Sequence, residues 1–180
     1  MIKDKELINM LRDPKTQRAG FSVMVSQYGE SLYWKVRRIV IEHEDANDVL
    51  QNTFIKAWSN LSSFQGKSTL ATWLYRIAIN EALDFVRRKK LSTQISTDKD
   101  PGIAMRLISD PYFDGDEAQA RLQEAVAKLP DVQRTVFTMK YYDDMKYSEI
   151  SKILSTSEGA LKASYHLAVK KIIDILHLTD

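Results

Sequence analysis

Apolar side chains recur every three or four residues along most of the chain, which predicts helices rather than strands. In the first half, this pattern runs from Phe21 to Ile41, from Asp45 onward, and from about Leu70 to Lys90. In the second half it resumes at about Ala118. The sequence has only six glycines and four prolines. We therefore expect an all-α protein, helical from one end to the other.

Each of the three helices predicted in the first half has one apolar face, which should pack against the other two helices. These faces comprise Val25, Tyr28, Leu32, Val36 and Ile39 in the first helix, Val49, Leu50, Thr53, Phe54, Ala57 and Trp58 in the second, and Leu70, Leu74, Ile77, Ala78 and Phe85 in the third. The three tryptophans of the chain all lie in this half. The first half should therefore form a core of its own.

The helical pattern stops between Ser92 and Glu117, where prolines and acidic residues accumulate. The acidic residues there are Asp98, Asp100, Asp110, Asp114, Asp116 and Glu117, against Lys99 and Arg106. This composition is typical of a mobile linker. We therefore expect two small helical domains, an N-terminal helical bundle at residues 1–91 and a C-terminal domain at 118–180, joined by a flexible acidic linker at 92–117.

The second half contains the pattern of a helix-turn-helix. After Leu129, Pro130 can start a new helix at its first turn, followed by an amphipathic run with Val132, Val136, Phe137 and Lys140. A short helix (SEISKIL), a tight connection (STSEG) and a longer helix (ALKASYHLAVKKIIDIL) come next. Ser155 and Glu158 have the spacing of a capping box, which would mark the start of the longer helix.

The longer helix of this motif offers candidate groove-reading residues. Leu161, Tyr165, Ala168 and Ile172 should face inward, and Glu158, Lys162, Ser164, His166 and Lys170 should face outward. Lysines suit phosphate or guanine contacts, whereas serine and histidine can bond base edges. A helical hairpin that packs only against protein would show the same pattern, so both interpretations stay open.

A polar stripe runs along the third helix of the first half. It consists of Thr72, Arg76, Asn80, Asp84 and Arg88, with Arg87, Lys89 and Lys90 extending its basic end. The basic end could hold phosphates, Asn80 could pair with a base edge, and the preceding loop (Phe64, Gln65, Lys67 and Ser68) could hold an unstacked base. Gly66 should serve as the hinge of this loop, and Ser68 should cap the helix. An ordinary solvated face with ion pairs is the alternative, and Phe64 and Trp73 could equally be core residues.

The second helix of the first half has a different polar side, on which one isoleucine joins three polar residues. The set is Asp48, Gln51, Asn52 and Ile55, a mixture that is typical of a surface for a protein partner. The acidic cluster Glu42, Glu44, Asp45 and Asp48 could instead suggest a divalent-metal site. The positive dipole at the start of a helix is a sufficient explanation for these acids.

Composition narrows the possible functions. There is no cysteine and there are three histidines, so we expect no disulfide, no thiolate nucleophile and no metal site. We also expect no cofactor. No stretch approaches the roughly 18 apolar residues that span a bilayer, and no signal peptide is recognisable. We therefore expect a cytoplasmic protein without membrane insertion. The net charge of +2 is too small to indicate nucleic-acid binding by itself.

Taken together, these segments resemble the bacterial RNA polymerase sigma factors of the sigma-70 family, most closely the extracytoplasmic-function (ECF) group. The similar segments are DANDVLQNTFIKAW and TWLYRIAINEALDFVRRKK in the first half, and LPDVQRTVFTMKYYDDMKYSEISKILSTSEGALKASYHLAVKKI in the second. The resemblance implies a factor without an active site, which binds core RNA polymerase and directs it to promoter DNA. Such a factor would read minus-35 and minus-10 elements and promote strand opening.

The resemblance also implies roles for individual residues. The helix carrying Asp48, Gln51, Asn52 and Ile55 would dock on the clamp helices of the largest polymerase subunit, although Asn52 replaces the usual glutamate. The minus-10 element would be held by Phe64, Gln65, Lys67, Ser68, Trp73, Arg76, Asn80, Asp84, Arg87 and Arg88, with a flipped base at the loop and Asn80. The minus-35 element would be read by Glu158, Lys162, Ser164, His166 and Lys170, with Arg134 near the phosphates. The linker would thread through the nucleic-acid channel of the polymerase.

One departure from the family affects the minus-35 contacts. The recognition helix of the family usually carries several arginines, whereas this chain has Ser164, Leu167 and Val169 at positions where they are common. Fewer cations make fewer phosphate contacts, so we expect a shallower salt dependence and weaker minus-35 binding.

Two rival functions are compatible with parts of this sequence: a helix-turn-helix regulator that binds duplex DNA without polymerase, and a nucleic-acid enzyme that uses the acidic cluster. The free protein is expected to be monomeric, and an anti-sigma factor could be a further partner.

Overall fold

The structure is a computed structural model that describes residues 2–93 and 115–177. The regular elements of these residues are all helical, which confirms the all-α prediction. The chain divides into two compact units, Met1–Arg88 and Lys89–Asp180. Most of the predicted linker, at residues 94–114, lies outside the described residues.

The first unit is built from four α-helices and one short 3₁₀ helix, and the last α-helix continues beyond the unit. These are α1 (Asp4–Arg12), α2 (Gln17–Val40), α3 (His43–Ser59), a short 3₁₀ helix (Leu61–Ser63) and α4 (Leu70–Thr93). The buried apolar residues of α2, α3 and α4 include Met24, Leu32, Val36, Ile39, Val49, Phe54, Ala57, Leu70, Leu74, Ala78 and Ile79. Most of the predicted inward faces are therefore confirmed.

Some predicted core residues are less buried than expected. Trp58 is 40% exposed, so its assignment to the core was wrong. Its indole lies edge-on against the ring of Phe21, with the ring centroids 4.9 Å apart, near the end of α3. Residues predicted to be inward that are only half-buried are Val25, Tyr28, Leu50, Ile77 and Phe85.

The first helix, α1, was not among the predicted helices, although its buried residues Leu7 and Leu11 have helical spacing. It buries Leu7 and Leu11 and packs on α2. Two sets of polar contacts fasten it there. The Gln27 side chain accepts from the Ile2 backbone N–H at 3.1 Å and donates to the Ile2 carbonyl at 3.2 Å. The Tyr28 hydroxyl donates to Asp4 at 2.5 Å. Burial, reinforced by this acceptor, raises the pKa of Tyr28 to about 12, so the hydroxyl keeps its proton.

The second unit contains the predicted helix-turn-helix. Its helices are α5 (Glu117–Ala127), α6 (Asp131–Phe137), a π-helical turn (Thr138–Tyr142), α7 (Tyr147–Leu154) and α8 (Glu158–His177). The Asp116 side chain caps α5 by accepting from the Gln119 N–H at 2.8 Å, and Pro130 directly precedes α6. One core joins α5, α6 and α8 through Ala125, Val126, Leu129, Phe137, Ala168 and Ile172. Val132 lies outside it and is 63% exposed.

The close contact between α1 and α2 gives a test of the first unit. Gly20→Ala should destabilise it, because the added Cβ would lie 2.9 Å from Met10 Cβ and 3.2 Å from the Leu11 backbone nitrogen. Overpacking of this kind costs about 1–3 kcal/mol of the free energy of unfolding. Tryptophan fluorescence during urea unfolding measures the effect, because all three tryptophans lie in this unit.

The matched control is Gly29→Ala in the same helix, where an added Cβ meets nothing within 4 Å. This change should stabilise the unit by about 0.5–1 kcal/mol, since glycine inside a helix is entropically costly. Equal effects of the two substitutions would contradict the close approach at Gly20.

Candidate nucleic-acid and partner interfaces

Helix α3 exposes the set of residues predicted to bind a protein partner. Asp48, Gln51, Asn52 and Ile55 are all exposed, and Ile55 is 57% exposed despite its apolar side chain. The other side of α3 buries Val49, Thr53 and Ala57. The Thr53 hydroxyl donates to the Val49 carbonyl at 2.7 Å, so burial leaves this polar group satisfied. The four predicted residues therefore share one accessible side.

The acidic residues near Asp48 occupy the amino-terminal end of α3. Glu42 is at the N-cap position, and Glu44 and Asp45 lie in the first turn, where the helix dipole favours negative charge. Within residues 2–93 and 115–177, no three histidine or carboxylate side chains are grouped so that they could hold a metal ion. The position of these acids at the start of α3 favours their explanation by the helix dipole over a metal site.

The loop before α4 presents polar side chains but not its aromatic ring. Phe64 is only 8% exposed, and its ring packs against Trp73 with the centroids 5.1 Å apart. The expectation that Phe64 itself could contact an unstacked base is therefore not supported. Its neighbours Gln65, Lys67 and Ser68 are exposed.

The backbone of the same loop agrees with the predicted hinge but not with the predicted cap. Gly66 has a φ of +71°, in the region that glycine adopts readily, as expected for the hinge. The cap of α4 is Thr69 rather than Ser68, because the Thr69 hydroxyl accepts from the Thr72 N–H at 3.2 Å. The Ser68 hydroxyl instead donates to the Thr69 carbonyl at 3.3 Å.

Helix α4 presents the predicted polar stripe on its outer side. Thr72, Arg76, Asn80 and Arg88 are exposed, whereas Trp73 and Asp84 are half-buried. Arg87 is also exposed and donates to Asp84 at 3.0 Å, so one of the predicted DNA-contacting cations already has an internal anion partner. Because both members of this pair lie at the surface, a phosphate could compete with Asp84 for the guanidinium.

The connection between α7 and α8 is a tight turn with its own backbone demands. Ser155 ends α7 in the left-handed conformation, with a φ of +51°. The cap of α8 is Ser157, whose hydroxyl accepts from the Ala160 N–H at 3.3 Å. The predicted capping box of Ser155 and Glu158 was therefore wrong, because Ser155 belongs to the end of the preceding helix.

The outer side of α8 carries the predicted groove-reading residues. Glu158, Lys162, His166 and Lys170 are exposed, and Ser164 is half-buried. As predicted, Leu161, Ala168 and Ile172 are buried, while Tyr165 is half-buried. The ring of Tyr147 lies below two ammonium groups, with its centroid 5.7 Å from Lys140 Nζ and from Lys162 Nζ. No sequence signal connects Tyr147 to Lys162, because their contact depends on the angle between α7 and α8.

Arg134 is buried inside the second unit instead of being exposed to a phosphate. Its side chain is 3% exposed, with Nη1 donating to the Ala127 carbonyl at 3.0 Å and Nη2 to Asp131 at 2.9 Å. Burial lowers the pKa of Arg134, and the Asp131 charge partly opposes that effect. Arg134 therefore links the end of α5 to the start of α6, and its expected place near the phosphate backbone was wrong.

An ion pair that no sequence pattern predicts joins α3 and α4. Lys56 of α3 donates to Glu81 of α4, and the Glu81 residue is only 5% exposed. The two residues are 25 positions apart, so no helical period relates them.

Fold and exposed surfaces define an all-helical class with a helix-turn-helix unit in its second half. Residues 24–91 match the protein family Sigma-70 region 2, and residues 119–172 match the family Sigma-70, region 4. The chain belongs to the sigma-70 family, in the ECF group, and is a transcription initiation sigma factor.

Relatives of known name extend over nearly the whole chain. It is 30% identical over 161 residues to the ECF RNA polymerase sigma factor SigW of Bacillus subtilis (strain 168), covering 84% of this chain and 86% of SigW. It is 28% identical over 170 residues to the RNA polymerase sigma-H factor of Pseudomonas aeruginosa, covering 89% of this chain and 87% of that factor. The family assignment therefore covers both units.

Solved structures show the same fold. The sigma factor RpoE, in complex with the anti-sigma factor NepR from Bartonella quintana, matches with a TM-score of 0.69 at 20% identity, covering 89% of this chain and 98% of RpoE. CnrH, in complex with the cytosolic domain of CnrY, matches with a TM-score of 0.70 at 23% identity, covering 98% of this chain and 99% of CnrH. Among residues 2–93 and 115–177 of this chain, no helix is long and apolar enough to span a membrane.

The buried position of Arg134 leads to a prediction about stability. Arg134→Met should destabilise the second unit by about 1–3 kcal/mol, because it removes two hydrogen bonds and leaves the buried Ala127 carbonyl without this donor. Hydrogen exchange of peptides from α5 and α6, followed by mass spectrometry, measures the loss of protection.

The control for this measurement is Lys170→Met, which changes an exposed side chain. It should alter stability by less than about 0.5 kcal/mol. Unchanged protection of α5 and α6 in Arg134→Met would show that the guanidinium does not hold these helices together.

Proposed function

We propose that this sigma factor brings core RNA polymerase to promoters whose minus-35 and minus-10 elements it reads, and that it opens the strands by capturing unstacked bases. The observation that carries the proposal is the exposure of Asn80 in the polar stripe of α4, the helix that follows the exposed polar loop, in a chain of the sigma-70 family. An asparagine amide offers both a donor and an acceptor to a base edge.

The polymerase contact is assigned to the exposed side of α3. The apolar side chain of Ile55 is exposed to water in the free protein, and the polar residues Asp48 and Gln51 lie on the same side of the helix. Apolar centres with polar surroundings are typical of protein interfaces. Asn52 replaces the glutamate that is usual in the family, so it would contribute a neutral hydrogen bond where a charge is common.

The minus-10 contact is assigned to α4 and the loop before it. Since Phe64 is buried against Trp73, the loop would bind a flipped base through the polar atoms of Gln65, Lys67 and Ser68 rather than by stacking on Phe64. The basic end at Arg87 and Arg88 would hold the phosphates of the melted strand. A contact of this kind selects a base that is already unstacked, which favours strand opening.

The minus-35 contact is assigned to the exposed side of α8. Lys162 and Lys170 would contact phosphate or guanine, with His166 and the half-buried Ser164 near base edges and Glu158 at the start of the helix. Arg134 is left out, since both of its observed hydrogen bonds are internal. Tyr147 would hold Lys162 in place through its ring.

A protein inhibitor is a further proposed partner. RpoE was solved with the anti-sigma factor NepR, and its fold covers 89% of this chain. We expect this sigma factor also to bind an anti-sigma protein, which would cover surfaces that polymerase would otherwise use.

The small number of exposed cations on α8 predicts a shallow salt dependence for minus-35 binding. The exposed lysines are Lys162, Lys170 and Lys171. At about −0.9 per phosphate contact, the logarithm of the association constant should fall against the logarithm of salt concentration with a slope of roughly −3. Fluorescence anisotropy with a labelled minus-35 duplex at several salt concentrations measures the slope.

Two variants test which residues contribute to the slope. Lys170→Ala should make the slope shallower by about 0.9, whereas Arg134→Met should leave it unchanged when binding is measured well below the melting temperature. A wild-type slope of roughly −6 or steeper would mean many more phosphate contacts than α8 provides, and would contradict the assignment.

The base-capture assignment is tested with Asn80→Ala. Run-off transcription with purified core polymerase, on templates that carry single changes in the minus-10 element, should show that this variant loses discrimination worth about 1–3 kcal/mol. Its affinity for core polymerase should be unchanged. Asn9→Ala, which alters an exposed asparagine of α1, should behave as the wild type.

A second arm of the same experiment tests the polymerase surface. Ile55→Asp places a charge on the proposed interface and should weaken binding to core polymerase without altering the fold.

Equal transcription by the wild type from all minus-10 templates would contradict base reading. Tight, specific DNA binding without polymerase would favour a regulator that acts alone.

A further inference from the structure

A buried carboxylate links the two helices to which the polymerase and minus-10 contacts are assigned. Glu81 of α4 is 5% exposed, yet it carries an acidic side chain and accepts from Lys56 of α3. The Lys56 side chain is 54% exposed. The pair therefore reaches from the surface of α3 into the interior beside α4.

The surroundings of Glu81 make its charge costly to bury. Only 5% of the residue is exposed, and Ala82, the next residue along α4, is fully buried. Transfer of an ionised carboxylate from water to such surroundings is unfavourable unless a cation is present. Two apolar side chains could fill the same space with equal or better stability, so stability alone does not account for the pair.

Lys56 and Glu81 each lie next to a residue of a proposed functional surface, one assigned to polymerase and the other to the minus-10 element. Lys56 directly follows Ile55 and lies one helical turn after Asn52 on α3, while Glu81 directly follows Asn80 on α4. A hydrogen bond between charged groups requires a specific direction as well as a distance, unlike a contact between apolar groups. The pair therefore restricts sliding and rotation of α4 relative to α3 at the level of Asn80.

We propose that Lys56 and Glu81 are positioning residues that hold Asn80 at the place where it captures a minus-10 base while α3 is bound to polymerase. This inference rests on the proposed function. Neither residue needs to touch DNA or polymerase. The pair acts by fixing the rotation of α4 relative to the polymerase-facing helix.

The decisive variant is the double substitution Lys56→Met with Glu81→Met, which exchanges the ion pair for two apolar side chains of similar length. Its melting temperature, followed by tryptophan fluorescence, should equal or exceed that of the wild type. Its affinity for core polymerase should stay within about twofold. Its discrimination between the preferred and substituted minus-10 templates, in run-off transcription with core polymerase, should fall about tenfold.

Two single variants complete the comparison. Lys56→Arg keeps the charge and the hydrogen bond, and it should retain wild-type discrimination. Lys56→Met alone leaves the Glu81 carboxylate buried without this cation, so it should lower the melting temperature as well as discrimination. Loss of discrimination in the double variant, at a melting temperature equal to that of the wild type, supports positioning rather than general stabilisation.

Three outcomes would overturn the inference. Wild-type discrimination in the double variant would show that the pair is only structural. Loss of core binding by the double variant at normal stability would make Lys56 a direct polymerase contact. A wild-type holoenzyme that transcribes all minus-10 templates equally would overturn the proposed function and this inference together, whereas a defect in Asn80→Ala alone would preserve the proposed function.

Discussion

Burial of the apolar stripe of α4 is the interaction on which the candidate nucleic-acid surface depends. Leu70, Leu74, Ala78 and Ala82 follow one another at four-residue intervals, and all are fully buried. A residue two positions further along a helix points to the opposite side, which places Arg76 and Asn80 in solvent. Rotation of α4 that buried Asn80 would also expose these apolar side chains. The core therefore determines which polar groups can meet DNA.

In both units, charged groups buried between helices contribute more to the relative orientation of those helices than to the stability of the fold. In the first unit Glu81 meets Lys56, and in the second Arg134 meets Asp131 and the Ala127 carbonyl. Such pairs lose solvation that their attraction only partly returns, so apolar residues could give similar stability. What a hydrogen-bonded charge adds is a fixed geometry between two helices. In the first unit, Lys56 and Glu81 directly follow Ile55 and Asn80, the residues assigned to polymerase and to DNA.

Aromatic side chains are distributed differently from what their positions near basic residues suggest. Phe64 and Trp73 pack against each other, and Phe137 stacks with Tyr141 and Tyr165 in the second unit. An aromatic ring removes a large apolar area from water when it is buried, which competes with any role in stacking on bases. The polar atoms of the loop before α4 are therefore more accessible to a nucleic acid than the ring of Phe64.

Helical periodicity and motif order in the sequence were sufficient to predict the all-α class, the helix-turn-helix, the exposed stripe of α4 and the sigma-70 family. These features depend on spacing within one helix or on the order of segments, and both are local properties of the chain. Only the tertiary structure decided that α1 packs on α2, that Phe64 is buried while Trp58 is partly exposed, and that Arg134 points inward. Each of these outcomes depends on which distant residues cover a side chain, and helical spacing contains no information about that.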